Sequence, residues 1–217
     1  TTDADGHASI TVTASNTAGT YTVDASVNGI GSPAAFSLEN LAGVATHLAA
    51  ASGDHQTTVV GTDFASPLGV IVRDGNGAPV VGATVTFTVP VTGASATAQT
   101  FMVDTDSNGL ASLPVTANLV AGSYVVTATT ATSSAPAIFH LTNTAGAAAA
   151  IAASMLGTPQ SQLVEKPYAN ELLVTVTDAN GNPVRNATVT YTAPSSGASA
   201  TLSSITVTTD ADGKARV

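Results

Sequence analysis

Val72-Arg73-Asp74-Gly75-Asn76-Gly77-Ala78-Pro79-Val80-Val81-Gly82-Ala83-Thr84-Val85-Thr86-Phe87 returns as Val176-Thr177-Asp178-Ala179-Asn180-Gly181-Asn182-Pro183-Val184-Arg185-Asn186-Ala187-Thr188-Val189-Thr190-Tyr191, an offset of 104 residues. A shorter motif occurs three times. Thr2-Asp3-Ala4-Asp5-Gly6 matches Thr105-Asp106-Ser107-Asn108-Gly109 and Thr209-Asp210-Ala211-Asp212-Gly213, at steps of 103 and 104 residues. Such a period is too long for a solenoid turn and fits a whole small domain. The 217 residues therefore divide into the late part of one repeat (1–43), a complete repeat (44–146) and the early part of a third (147–217).

Within each copy the pattern is that of short strands. Ala83, Val85, Phe87 and Val89 alternate with Thr84, Thr86 and Thr88, and Tyr124, Val126 and Ala128 form another inward row. Period-two alternation marks half-buried strands. The same reading places strands over residues 8–13, 18–25 and 35–38, with Tyr21, Phe36 and Leu38 facing in. Asp-Gly and Asn-Gly clusters supply the turns. Pro114 marks an edge strand or bulge. Residues 145–154 read as a linker running into a first strand. Seven to nine strands in about a hundred residues predict an all-β fold of tandem immunoglobulin-like antiparallel sandwiches. Tyr124 and its copy Tyr21 open the penultimate strand after Ala121-Gly122-Ser123 and Ala18-Gly19-Thr20. That position fits a tyrosine corner, whose hydroxyl bonds nearby backbone. The alternative is an aromatic core residue with its hydroxyl at the rim.

Composition narrows the partners. Only 9% of residues are charged and the net charge is −9 with five Lys and Arg in all. Nucleic acids and anionic membrane surfaces require clustered cations, so neither is expected. No cysteine is present, which removes disulfides, thiolate metal sites and cysteine nucleophiles. The longest apolar run, residues 145–156, is too short to cross a bilayer as a helix.

The repeated pieces resemble the bacterial Ig-like (Big) repeats of group 1 type. They are residues 176–184, 187–191 and 208–215, completed by Ala121-Gly122-Ser123-Tyr124-Val125-Val126-Thr127-Ala128. Repeats of this kind occur in invasin- and intimin-like surface adhesins and in large extracellular repeat proteins. The resemblance implies an extracellular or cell-surface location and a stalk that holds a binding tip away from the cell. It names no ligand.

Chemistry finds little to stand on. His7, His47, His55 and His140 are not repeated: His7 aligns with Leu110 and Lys214, and His140 with Ser37. His140 points outward by strand parity and reads as a solvated surface residue. No nucleophile-elbow pattern is present, so no enzyme activity and no catalytic residue is expected. Asp3 with Asp5, and Asp210 with Asp212, offer paired carboxylates, but a calcium loop needs further ligands. Asp106 with Asn108 keeps one acid fewer, and a tight turn accounts for all three. Border acids such as Asp63, Glu165 and Asp178 are too sparse to indicate a metal. Lys166 and Lys214, the sole lysines, leave residues 44–146 with none for an isopeptide cross-link. The outward rows Thr84, Thr86, Thr88 and Thr188, Thr190, Thr192 read as solvated strand faces. No cofactor or metal is therefore expected.

Three functions follow, in order. The first is a structural stalk segment. The second is a fibre or sheath subunit whose terminal half-repeats complement neighbouring copies head to tail. The third is a module binding glycan, protein or calcium. Expected partners are neighbouring repeats or further copies of the chain, with any host or matrix ligand engaged elsewhere.

Overall fold

A computed structural model describes residues 1–133 and 135–217. Seventeen strands and no helix are present among the described residues. β1 (Gly19–Ala25) and β2 (Ala34–Asn40) form an antiparallel hairpin. Ten strands follow between Ala45 and Thr144: β3 (Ala45–Ser52), β4 (Gln56–Val59), β5 (Leu68–Asp74), β6 (Thr84–Thr88), β7 (Ala96–Thr97), β8 (Met102–Asp104), β9 (Leu110–Leu113), β10 (Thr116–Ala117), β11 (Gly122–Thr129) and β12 (Ala137–Thr144). The last five are β13 (Ala150–Ala153), β14 (Leu173–Thr177), β15 (Thr188–Thr190), β16 (Thr206–Thr208) and β17 (Lys214–Arg216).

The middle strands make an Ig-like sandwich. One sheet runs β3-β5-β9 and the facing sheet β4-β12-β11-β6-β8. β4 joins β12 in parallel and the other ladders are antiparallel. Alternation does the sorting. Leu68, Val70 and Val72 of β5 face Val85 and Phe87 of β6, Val126 of β11, and Phe139 and Leu141 of β12, all buried. The Phe87 and Phe139 rings lie 6.2 Å apart, tilted. β9 lies at the edge of its sheet, as Pro114 indicates, but it ends at Leu113, before the proline, rather than continuing to Val115. Beyond it the chain resumes as β10 against β7, and this break brings the count to ten rather than seven to nine. Residues 145–154 run into a strand, β13. A second, smaller core gathers Val176, Val189 and Ala215.

Two expectations fail in residues 1–43. The strand expected over residues 8–13 does not form, and Ile10 and Val12 are 85% and 58% exposed. Its copy, β9, is held by β5, and residues 1–43 contain no counterpart of β5. For the same reason Tyr21 and Phe36 do not face a core: Phe36 is 55% exposed, whereas its copy Phe139 is fully buried. The tyrosine corner also fails. The buried Tyr124 hydroxyl has no hydrogen-bond partner among the described residues, and neither does Asn143 Oδ1. Burial pushes the Tyr124 phenol up to about 12, against a smaller opposite pull from the Asn143 side chain. Tyr124 is the aromatic core residue of the alternative reading.

Candidate functional site at the two repeat borders

Five Asp-x-x-Gly turns share one construction. The Asp Oδ1 accepts from the backbone N–H two and four residues on: Asp3 from Asp5 and His7, Asp74 from Asn76 and Ala78, Asp106 from Asn108 and Leu110, Asp178 from Asn180 and Asn182, Asp210 from Asp212 and Lys214. The Asp carbonyl accepts from the Gly N–H in each. This carboxylate-to-own-backbone bonding is what Asp contributes to a turn. It uses the carboxylates of Asp3 and Asp210, and of Asp5 and Asp212 only the backbone N–H. The glycine is required twice over at Gly109 and Gly213, which have φ of 74° and 70°. A Cβ at either would stand 2.5 Å from the carbonyl oxygen of Val72 or Val176.

Two of the five turns do more. Asp74 and Asp178 turn their second oxygen toward the preceding border. Gly43 N–H donates to Asp74 Oδ2 at 2.9 Å, and Gly146 N–H donates to Asp178 Oδ2 at 2.8 Å. Both aspartates are buried, at 3% and 4% exposure. The Gly43 N–H is the main influence holding Asp74 below the ordinary carboxylate range. At Asp178 burial pushes upward. The Asn182 side-chain amide and the N–H groups of Gly146, Asn182 and Asn180 together outweigh it and bring the carboxyl to about 2. Charge-assisted hydrogen bonds of this sort are about twice as strong as neutral ones. Each border glycine is thus fixed to a turn 31 or 32 residues further on.

The second border carries an additional grip. Asn182 is buried. Its Nδ2 donates to Asp178 Oδ2 at 2.9 Å and to the Leu119 carbonyl at 3.0 Å, while its Oδ1 accepts from Ala121 N–H at 2.8 Å. Both amide hydrogens are used. The gripped loop is also tied from the other side. Asn143, near the end of β12, donates through Nδ2 to the carbonyls of Val120 and Ser95 and to Asn118 Oδ1. A closed circuit results, from Asn143 through the 118–121 loop to Asn182, Asp178 and Gly146. The first border repeats only part of it. Asn40, the copy of Asn143, donates to the Thr17 carbonyl and to Ser15 Oγ. The residue corresponding to Asn182 is Ala78, which has no amide. Among the described residues no hydrogen bond joins the 15–18 loop to the 74–79 turn.

Of the histidines named from sequence, His7 and His47 stand apart. His47 Nδ1 lies 2.9 Å from Thr46 Oγ1. His55 and His140 come together with Asp54, a juxtaposition that 84 intervening positions conceal in the sequence. Thr84 and Thr88 are exposed, and Thr84 donates to Asp104 Oδ1 at 2.7 Å. Lys214 and Arg216 make only loose exposed pairs with Asp212 and Glu171. A concavity of about 500 Å³ beside Val91, Phe101 and Asn118 has no titratable side chain in its lining. No helix among the described residues is long and apolar enough to cross a membrane.

Residues 152–217 match the family model of the bacterial Ig-like domain (group 1). The whole chain is 31% identical, over 218 aligned positions, to the inverse autotransporter adhesin YeeJ of Escherichia coli (strain K12), and spans 9% of that protein's length. Among solved structures it is similar to InvD of Yersinia pseudotuberculosis, at 16% identity and a TM-score of 0.51, covering 94% of this chain and 63% of that one. This likeness concerns the fold. The D0-D1 domain of intimin is 22% identical over 79% of this chain and 82% of that one, at a TM-score of 0.34, which adds nothing to the fold assignment. The resemblance to bacterial Ig-like repeats and the all-β sandwich are borne out.

Proposed function

We propose that this chain is a stalk segment of a bacterial cell-surface or secreted adhesin, built from Ig-like repeats with borders at 43/44 and 146/147. Its task is geometric rather than catalytic: each repeat adds a length, and each border limits how far neighbours can bend. The observation that supports this most directly is the recurrence of the Asp–Gly clamp at both borders, Asp74 to Gly43 and Asp178 to Gly146. A carboxylate spent on fixing a linker N–H makes a joint stiffer without adding any ligand-binding group. The similarity to an inverse autotransporter adhesin along the full chain points the same way.

The test is removal of one 104-residue period from a surface adhesin carrying this segment. A stalk loses reach in proportion, and cell attachment returns when an unrelated rigid spacer of equal length is inserted. Attachment that stays lost with the spacer in place would assign recognition to the repeat itself and overturn the proposal.

A second reading rests on a separate observation. The β1–β2 hairpin presents Phe36 and Tyr21 to solvent, and Ile151 and Ile205 are 60% and 66% exposed. On this reading another copy of the chain covers these faces, head to tail. Sedimentation of residues 1–217 at rising concentration tests it. Concentration-dependent oligomers support complementation between copies, and a persistent monomer removes it.

A further inference from the structure

The turn between β3 and β4 is a repeated scaffold carrying unrepeated side chains. Gln56 Nε2 donates to the carbonyls of Gly53 and Ser66, and Gln160 Nε2 donates in the same way to Gly157 and Asn170. Gly53 is wedged against the backbone of Pro67 and Leu68, where a Cβ would meet the Pro67 oxygen at 2.3 Å. On this fixed turn the middle copy places Asp54 and His55, where the next copy has Thr158 and Pro159. β12, parallel to β4, adds His140 where the preceding copy has Ser37.

The three side chains converge. Asp54 Oδ1 accepts from the backbone N–H of His140 at 2.6 Å and of His55 at 2.8 Å, which fixes the carboxylate between turn and strand. Its Oδ1 lies 3.3 Å from His140 Nδ1 and its Oδ2 3.5 Å from His55 Nε2. One ligating atom from each residue falls within 4.8 Å of the others. The imidazoles stack at 4.9 Å, nearly parallel. His55 holds a positive φ of 55°, uncommon outside glycine though less so for His. No Lys or Arg lies within salt-bridge distance of Asp54 among the described residues.

We propose that Asp54, His55 and His140 form a surface site for a divalent transition-metal ion of the zinc class. Metal–ligand bonds of about 2.0–2.1 Å in a tetrahedron set neighbouring ligand atoms roughly 3.3 Å apart. Each imidazole already stands near that distance from one carboxylate oxygen, His140 from Oδ1 and His55 from Oδ2. Two imidazoles with one carboxylate select zinc, copper or nickel over calcium or magnesium, which take oxygen sets. Parallel rings cannot both aim in-plane lone pairs at one ion, so one ring must turn. Side-chain exposures of 75% for His55 and 55% for His140 leave that rotation open. Water completes the coordination. A bound ion would join the turn before β4 to β12 and so fasten the parallel edge of the larger sheet.

The experiment is calorimetric titration of residues 1–217 with zinc chloride, with calcium chloride as the contrasting arm. His140→Ser and Asp54→Thr install the residues that the sister copies carry, so the scaffold is kept, and His55→Ala is a third variant. Expected is one zinc per chain, at least tenfold weaker binding in each variant, and no heat from calcium at equal concentration. Lack of zinc binding in the unaltered chain overturns the proposal. So does binding that survives both His140→Ser and His55→Ala, which would assign the ion to His7 or His47.

Discussion

The two borders start from the same sequence plan and end with different mechanics. At both, a turn aspartate captures the N–H of a border glycine, and an asparagine near the last strand's end ties down the loop before the penultimate strand. Only at the second does the following repeat hold that loop, through Asn182. The first has Ala78 there, too short to reach. The difference separates two jobs that a joint can do. The aspartate fixes the linker to the repeat that follows. The asparagine fixes the repeat that follows to the one before. Within an array the first can be shared by every joint, while the second can be switched by one side chain.

Removing the shared element should have the largest effect. Asp178→Ala strips acceptors from the N–H groups of Gly146, Asn180 and Asn182 and takes one of its partners from the Asn182 amide. The expected result is a fall in hydrogen-exchange protection at Gly146 on the order of a hundredfold, since each charged hydrogen bond carries about 1.5–3 kcal/mol. Asp74→Ala should deprotect Gly43 in the same manner and leave Ala121 unaffected. If Asp178→Ala leaves Gly146 protected, the clamp does not hold the linker.

Acid reaches the same groups without mutation and less completely. The folded-state carboxyl of Asp178 lies at about 2, below the ordinary 3.8. A depressed carboxyl contributes stability that is full above pH 3.8 and fades as pH falls toward about 2. The Gly146 amide proton followed by NMR should therefore titrate with a midpoint near 2, and Gly43 below the ordinary carboxylate range in step with Asp74. A Gly146 midpoint at or above 3.8 would contradict the network around Asp178.

The sandwich was legible in the sequence because its signals are local. The Val85-Thr86-Phe87 alternation, the Asp-Gly and Asn-Gly turns and the edge position that Pro114 marks each act within a few residues, and each appears where the pattern places it. Legibility failed where an outcome depended on a partner. Residues 8–13 have the alternation of β9 yet form no strand, since alternation supplies a face and not the neighbour that pairs with it. Tyr124 has the position of a corner, but its hydroxyl lies buried with no hydrogen-bond partner among the described residues. The border clamps were written in both copies, as Asp74 with Gly43 and Asp178 with Gly146. Yet a separation of 31 or 32 residues carries no signal until the chain folds back. The departure of Asn182 from Ala78 stood in plain view inside the most repetitive stretch. Departures from a repeat at a turn are where a joint-specific role can be sought.

Asn182→Ala reduces the second border to the plan of the first. Ala121 N–H and the Leu119 carbonyl lose their partner, whereas Asp178 keeps the backbone N–H groups of Gly146, Asn180 and Asn182. Protection at Ala121 should fall by roughly tenfold, about one hydrogen bond's worth, with Gly146 changed far less. Residual dipolar couplings should then show wider excursions of residues 150–217 relative to residues 45–144. Equal losses at Ala121 and Gly146 would mean that the two elements form a single unit and that the contrast between the borders is one of degree.

The converse substitution, Ala78→Asn, is the sharpest form of the comparison and has the smallest expected effect. It places the second border's amide beside Asp74, two residues beyond the Asn76 N–H that Asp74 already holds. The acceptor and donor it must find are the carbonyl of Asn16 and the N–H of Ala18, the counterparts of Leu119 and Ala121 by the repeat offset. Ala78 is buried, so an amide that fails to reach them is left unpaired in a tight place and lowers stability. An amide that reaches them raises protection at Ala18 by a few-fold, the modest net gain of a neutral hydrogen bond. The gain stays small because residues 8–13 are not packed, and a grip on the 15–18 loop can transmit force only as far as that loop is itself anchored, which here means Asn40 and the hairpin of β1 and β2. A few-fold rise at Ala18 would show that one side chain converts a joint that anchors only its linker into one that also couples successive repeats. A loss of stability with Ala18 unchanged would show that the second border also needs the packed loop beneath it.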